Sequence, residues 1–188
     1  MREADAWAQW WALAWRHAHP DWISTAQVDP ALARNQHASV GKAFAIVPCL
    51  PGKPSASLIY LALAQPEQHD FMLQLVATVC CPMLASPLDA PRHLWCQRLA
   101  KALRPQGWLK KNDDALQLLR VWVEPPVWQR LRLRFAPARV MALEQQPLPE
   151  IPPTRLQLLW QAVLWYEHRS NPEAASSEVQ GNAVTTHD

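Results

Sequence analysis

Four residues in the middle of the chain are of the types that bind metal ions: Cys80, Cys81, His93 and Cys96. Adjacent cysteines rarely share one tetrahedral ion, and the spacing from His93 to Cys96 is by itself a weak zinc signature. We therefore interpret these cysteines as small apolar residues of a core, and we expect neither a metal ion nor a cofactor. The four cysteines of the chain also lack the spacing of a disulfide framework, which indicates reduced thiols in a cytosol.

Acid–base chemistry has two candidate sites. His17 and His19 lie close to Asp21, and Asp113 is followed directly by Asp114. Histidines at the end of a helix commonly cap carbonyl groups or face water, and aspartates at the start of a helix serve as caps. The sequence contains no Gly-rich phosphate loop and no Cys-x-x-Cys, His-Glu-x-x-His or Gly-x-Ser-x-Gly motif. We therefore expect a protein that is not an enzyme and has no small-molecule substrate.

A basic segment begins at Trp128, and arginines occupy every second position after it at Arg130, Arg132 and Arg134. Arginine beside tryptophan can bind an acidic protein or single-stranded nucleic acid. A formal net charge of +2 is too close to zero to indicate nucleic acid. We predict an exposed arginine stripe that faces an acidic protein partner; the alternative is a nucleic-acid-associated accessory protein that uses residues 128–139. Basic residues that could extend this face are Lys110, Lys111, Arg120 and Arg139.

Eleven tryptophans are an unusual number for 188 residues, and Trp7, Trp11 and Trp15 follow one another at every fourth position. This spacing places the three indole rings on one face of a helix. We expect at least two of them to be buried against the body of the domain, at the final helix around Trp160 and Leu164.

Two other tryptophans are expected to contact a partner. Trp10 is offset from the aromatic face, and Trp22 follows Pro20 in a predicted loop. Tryptophan and arginine contribute much of the binding energy at many interfaces. The residues that we expect at the partner interface are Trp10, His19, Trp22, Trp128, Arg130, Arg132 and Arg134.

Hydrophobic periodicity and capping residues predict the helices that position these side chains. The predicted helices cover residues 3–18, 67–81, 90–104 and 113–123, and a capping box of Thr154 and Gln157 opens the last one. Residues 22–42 are predicted to be a loop with one helical turn after Asp29-Pro30, and Asp89 is predicted to cap the helix that follows it. The residues expected to be buried on these helices are Phe71, Leu75, Val79, Trp95, Leu99, Ala102, Leu103, Leu116, Leu119, Val123, Leu156, Leu159, Trp160, Val163 and Leu164.

Two segments allow alternatives. Ala43–Leu50 and Ser57–Ala64 could form a β-hairpin, but alanine and the internal Pro48 weaken strands, so residues 43–64 could instead be helical. Residues 128–135 alternate basic and apolar side chains, which favours a strand, whereas Pro126 could instead begin a helix.

The composition supports one folded domain. Apolar residues make up 49% of the chain and charged residues only 18%, which provides ample material for a core. The charged N-terminus does not resemble a signal peptide, and the longest apolar stretches, residues 57–64 and 71–83, are too short to span a bilayer. We therefore predict a cytoplasmic, mainly α protein. It has a single irregular helical domain over residues 1–169, with one small β-hairpin left open, and a disordered tail over residues 170–188.

Three passages carry a family resemblance. His19-Pro20-Asp21-Trp22 follows an aromatic stretch and precedes a predicted loop, and Leu84-Ala85-Ser86-Pro87-Leu88 separates two predicted helices. Trp128-Gln129-Arg130-Leu131-Arg132-Leu133 lies late in the chain, before an aromatic final helix. In style and position these passages resemble the cytoplasmic SctK family of type III secretion systems, which includes the YscK, OrgA and HrpD proteins.

The resemblance implies a mostly helical adaptor in the sorting platform beneath the injectisome. Such adaptors link the cytoplasmic domain of the inner-membrane ring protein to the pod protein that forms the spokes of the platform. The resemblance also implies that the chain has no catalytic residues and no cofactor, and that it reaches the membrane only through these protein contacts.

Overall fold

The computed structural model describes residues 3–26, 41–83, 87–110 and 113–170, and it contains no strand within these ranges. Short 3-10 turns at Ala14–His17, Pro105–Gly107 and Arg132–Arg134 connect some of the α-helices. The mainly α fold predicted from the sequence is therefore confirmed. The α-helices are α1 (Glu3–Leu13), α2 (Pro20–Ala26), α3 (Ala56–Leu63), α4 (Pro66–Cys80), α5 (Ala90–Leu103), α6 (Ala115–Trp122), α7 (Pro125–Leu131), α8 (Pro137–Glu144) and α9 (Pro153–Ser170).

Prolines and short polar side chains set where the helices begin. Proline occupies the first or second position of α2, α4, α5, α7, α8 and α9, where its missing N–H costs no helical hydrogen bond. Asp89 caps α5 by accepting from the Arg92 N–H at 3.0 Å, as the sequence predicted. Asp114 caps α6 by accepting from the Leu116 N–H at 2.6 Å. Of the adjacent aspartates Asp113 and Asp114, which were interpreted as caps, Asp114 is the one that caps the helix.

Two helices form the centre of the core. The first five residues of α6, Ala115–Leu119, are all buried, so neighbours surround this helix on every side. The last helix, α9, packs against α3, α4 and α6, and its predicted apolar face is buried. Outside this centre, α5 packs against α4 and α1 packs against α3. A core built in this way brings the beginning and the end of the described chain together through α3.

Of the two alternatives for residues 43–64, the β-hairpin is wrong, and the helical one is correct for Ala56–Leu63. Ser57–Ala64 falls almost entirely within α3, which Ser55 caps by accepting from the Leu58 N–H at 3.2 Å. Residues 46–55 are irregular, because Pro48, Pro51 and Pro54 cannot donate hydrogen bonds to a neighbouring strand. The strand preferred for residues 128–135 is also wrong. The alternative is correct, since α7 begins at Pro125 and continues into the turn Arg132–Arg134.

Smaller corrections concern helix ends and faces. Residues 22–26 belong to α2 and not to a loop, and the predicted turn after Asp29-Pro30 lies outside the described residues. On α5 the buried residues are Cys96, Ala100 and Leu103, whereas Ala102 is exposed. The expected buried face also included Trp95 and Leu99, which are only half-buried. The observed buried face of α5 is therefore displaced by one residue along the sequence from the predicted one.

The last helix begins at Pro153, one residue before the predicted cap Thr154. Its intended capping partner Gln157 instead accepts from the Trp122 indole N–H at 2.6 Å, which joins α9 to α6. The predicted disorder of the tail beyond Ser170 lies outside the described residues. Among the helices that the structure describes, none has the length and apolar character needed to cross a membrane.

Candidate partner-binding surfaces

Arg130 is buried, although the sequence placed it on an exposed stripe. Its Nε donates to the Trp11 carbonyl oxygen at 2.9 Å, and its Nη1 donates to the Pro126 carbonyl oxygen at 2.9 Å. The guanidinium also lies over the Trp11 ring, 3.9 Å from the centroid. Trp11 is near the end of α1, where the last four carbonyl groups have no helical partner. Arg130 therefore satisfies a helix end inside the protein, and burial lowers the pKa of its guanidinium.

Arg132 is also turned inward, with a side chain only 11% exposed. Its Nη1 donates to Glu144 Oε2 at 2.9 Å, and its Nη2 donates to the Phe44 carbonyl oxygen at 2.8 Å. The other carboxylate oxygen of Glu144 accepts from the Trp128 indole N–H at 2.7 Å. Glu144 thus joins two of the predicted interface residues to each other and to α8.

Arg134, the third arginine of the predicted stripe, also binds backbone carbonyl groups. Its Nη1 donates to the His17 carbonyl oxygen at 3.3 Å, and its Nη2 donates to the carbonyl oxygen of Ala64, the C-cap residue of α3. Residues two positions apart on a helix do not share a face, so the alternating arginines cannot form one stripe. The prediction of an exposed arginine stripe is therefore wrong.

Of the other basic residues, Arg120 donates to the Leu143 carbonyl oxygen and Arg139 pairs with Asp114; Lys111 lies outside the described residues.

The tryptophans expected at the interface are in the core. Trp10 is only 2% exposed and Trp22 only 5%, and the Trp22 indole N–H donates to the Phe135 carbonyl oxygen at 2.9 Å. Trp128 is buried as well. The expectation that Trp10 and Trp22 lie at the surface is wrong, because the N-terminal segment packs on two sides: α1 against α3, and the turn Ala14–His17 against α7 and Arg132–Arg134.

The aromatic face of α1 was predicted correctly in part. Trp7 and Trp11 are buried and Trp15 is half-buried, so the prediction that at least two of the three are buried is confirmed. Trp7 stacks on Trp10, with 5.0 Å between ring centroids. The main neighbour of α1 is α3, however, and not the final helix around Trp160.

Histidines occupy structural positions. His19 is half-buried, and its backbone N–H donates to the Leu133 carbonyl oxygen at 2.7 Å; its Nδ1 lies 3.6 Å from Asp21 Oδ2. His69, for which the sequence predicted no role, is buried and has its Nε2 2.8 Å from the Leu61 carbonyl oxygen. Burial, and secondly the charge of Arg134, lowers the pKa of His69 to about 4, so the ring is neutral and joins α4 to α3.

The four cysteines differ in exposure: Cys49 is exposed, Cys80 and Cys81 are half-buried, and Cys96 is buried. Among the described residues, no three His, Cys, Asp or Glu side chains are grouped so that they could hold a metal ion. Cys96 is fully buried, and burial raises its pKa to about 11. Burial, with Cys81 and Asp113 nearby, raises the pKa of Cys80 to about 12, so this thiol is a poor nucleophile. Cys80 and Cys81 line a cleft of about 430 Å³ that also includes Arg139.

A buried carboxyl group lies near the end of α9. Glu167 is 2% exposed, and it accepts from the Tyr60 hydroxyl and from Gln68 Nε2, the latter at 3.0 Å. Burial raises the pKa of Glu167 to about 7. The group borders a cavity of about 260 Å³ that Phe71 and Arg92 also line. This cluster fixes α9 to α3 and α4.

The opposite face of α9 carries exposed apolar side chains. Leu158 is 47% exposed and Trp165 is 58% exposed, and both lie on the same side of the helix as exposed Gln161 and Arg169. We call these four residues the α9 stripe. The Arg169 guanidinium lies over the Trp165 ring at 5.0 Å from its centroid. This stripe was not predicted, although the sequence carries a signal for it, because Leu158 and Trp165 fall on the polar side of the predicted helix.

Compared with protein-family models, with curated proteins and with solved structures, the chain matches none of them.

Proposed function

We propose that this chain is a non-catalytic cytoplasmic adaptor of a type III secretion sorting platform. In this role it links the cytoplasmic domain of the inner-membrane ring protein to the pod protein. The observation that carries the proposal is the α9 stripe, a rigid helix face with an exposed tryptophan and an exposed leucine, which suits a protein that works by contact.

The passages that resemble the SctK family support the same proposal. The first of them, residues 19–22, lies against the last, residues 128–133, and the residues that follow it. The His19 N–H donates to the Leu133 carbonyl oxygen, and the Arg132 guanidinium lies 5.5 Å from the centroid of the Trp22 ring. Two segments far apart in the sequence thus form one structural unit.

The nucleic-acid alternative depends on an exposed basic surface at residues 128–139, and three of the arginines in this segment bind protein oxygens instead. It required the guanidinium groups of Arg130, Arg132 and Arg134 to bind phosphates. In the structure these groups bind protein carbonyl and carboxylate oxygens. We therefore do not propose it.

The test is reconstitution of the full chain with two purified proteins from the same genome, the cytoplasmic domain of the ring protein and the pod protein. We expect a ternary complex in size-exclusion chromatography, and we expect deletion of the gene to abolish secretion of substrates in the source cells. Nuclease treatment serves as the control and should leave the complex intact. Failure to bind either protein, or tight binding to arbitrary single-stranded DNA at physiological salt, would contradict the proposal.

A further inference from the structure

We infer that the α9 stripe inserts into an apolar groove with an acidic rim on a protein partner. The inference rests on the part of the proposed function in which the chain acts by binding other proteins, and it holds whether or not that partner belongs to a secretion platform. It assigns the contact to Leu158 and Trp165, with Arg155 and Arg169 beside them.

The spacing of the two apolar side chains fits a helix that binds in a groove. Seven residues turn a helix through about 700°, which brings Leu158 and Trp165 within about 20° of the same direction and about 10.5 Å apart along the axis. Such i and i+7 anchors are typical of helices that bind in apolar grooves. Gln161, between them on the stripe, is exposed, and Ala162 beside it has a small side chain that allows close approach of a partner.

Packing on the buried face of α9 fixes the helix that carries the α9 stripe. On the buried face of α9, Trp160 stacks on Trp122 with 5.6 Å between ring centroids. Next to Trp165, Tyr166 stacks on Trp95 at 4.1 Å, and Glu167 accepts hydrogen bonds from α3 and α4. A side chain presented by a fixed helix loses little conformational entropy when it binds, which favours affinity.

The charged residues of α9 indicate the sign of the charge on the partner's surface. The exposed positions of the helix carry Arg155 near its beginning and Arg169 near its end. Glu167 is the only acidic residue of α9, and it is buried. The exposed face therefore combines two apolar side chains with a cation toward each end, and carboxylates on the rim of the groove would complement these cations.

The same charges disfavour a second copy of the chain as the occupant. A two-fold contact through α9 would bring arginines of the two copies together: Arg155 would approach Arg169 if the helices were antiparallel, and each arginine would approach its own copy if they were parallel. Like charges at an interface are destabilising. The partner is therefore a different, acidic protein.

The experiment uses the full chain in its source cells, with p-benzoylphenylalanine in place of Gln161 as a photo-crosslinker. The matched control carries the same group in place of Gln106, which is exposed on the turn Pro105–Gly107. We expect an adduct from position 161 and none of the same mass from position 106. We also expect the crosslinked peptide to contain apolar residues flanked by Asp or Glu.

The variant Trp165→Ala should reduce this adduct about tenfold or more, because an exposed anchor contributes chiefly to binding. Its thermal melt should remain that of the wild type. When the crosslinking is repeated in cell lysate, Arg155→Glu with Arg169→Glu should weaken the adduct, and this loss should grow as the salt concentration is lowered. The inference would be overturned if no adduct formed or if position 161 crosslinked to a second copy of the chain. It would also be overturned if the crosslinked peptide contained no acidic residue, or if Trp165→Ala left the adduct unchanged.

These outcomes separate the inference from the proposed function. An acidic partner that is not a secretion component would support the stripe and contradict the adaptor. A complex with the ring and pod proteins that Trp165→Ala leaves unchanged would support the adaptor and overturn the stripe.

Discussion

The Arg130 guanidinium donates to two backbone carbonyl groups and covers the ring of Trp11. Replacing it with a smaller side chain leaves buried carbonyl oxygens without donors, and hydrogen bonds to charged groups are each worth about 1.5–3 kcal/mol. We expect Arg130→Ala to lower the free energy of unfolding by about 3 kcal/mol, measured by urea denaturation. Arg130→Lys should restore little, because an ammonium group cannot reproduce the planar donor geometry.

Arg98 provides the control for this prediction. It lies on α5, where its side chain is exposed, so Arg98→Ala should change stability by less than about 0.5 kcal/mol. If Arg130→Ala proved as stable as Arg98→Ala, the internal role of Arg130 would be refuted.

Tryptophans at different depths should respond differently to truncation. Trp10 and Trp22 are buried, so replacing either with alanine should cost about 3–5 kcal/mol. Trp165 is more than half exposed, so Trp165→Ala should cost less than about 1 kcal/mol. Thermal melts of the three variants test this ranking. The sequence predicts Trp22 at a partner interface, and a melt of Trp22→Ala close to that of the wild type would support that prediction.

At the scale of the element, Glu167 makes the attachment of α9 depend on pH. Its pKa is about 7 in the folded protein and about 4.5 for an ordinary glutamate, so the folded state binds the proton more tightly. Stability from this group is fully present below pH 4.5 and is lost as the pH rises through 7. Glu167→Gln cannot ionise, and we expect its stability relative to wild type to increase between pH 4.5 and 7.

The measurement is the difference in unfolding free energy between Glu167→Gln and wild type at several pH values. The comparison with wild type is needed because His69 changes the unfolding free energy with pH in the opposite direction. Its folded pKa of about 4 lies below the ordinary 6.5, so its contribution is present above pH 6.5 and is lost as the pH falls through 4. A difference that stays constant from pH 4.5 to 7 would show that the Glu167 carboxyl titrates normally.

At the scale of the whole molecule, long-range contacts join the first and last parts of the described chain. Arg130 and Trp11 are 119 positions apart, Arg134 and His17 are 117 apart, and Glu167 and Tyr60 are 107 apart. We expect one cooperative unfolding transition, in which far-UV circular dichroism and tryptophan fluorescence change together. Two separated transitions would indicate that the segment containing α1 unfolds independently of α9.

Much of the helical framework was predictable because its signals are local. The helices predicted at 67–81 and 90–104 begin and end within one residue of α4 and α5, and Asp89 caps α5 as expected. The buried face of α9 also agrees with the periodicity of the sequence. Side-chain spacing and capping within a few residues carry this information, so no tertiary contact is needed to infer it.

The sequence by itself thus determined that the chain is helical, with most of its helices and the apolar face of α9. Only the tertiary structure decided that residues 128–135 are helical and that Trp10 and Trp22 are buried. It also showed that the arginines point inward and that Trp165 faces outward. An alternating pattern fits a strand as well as an irregular helix whose arginines bind distant carbonyl groups. Those carbonyls belong to Trp11, His17, Phe44 and Ala64, and nothing near Arg130 in the sequence reveals them.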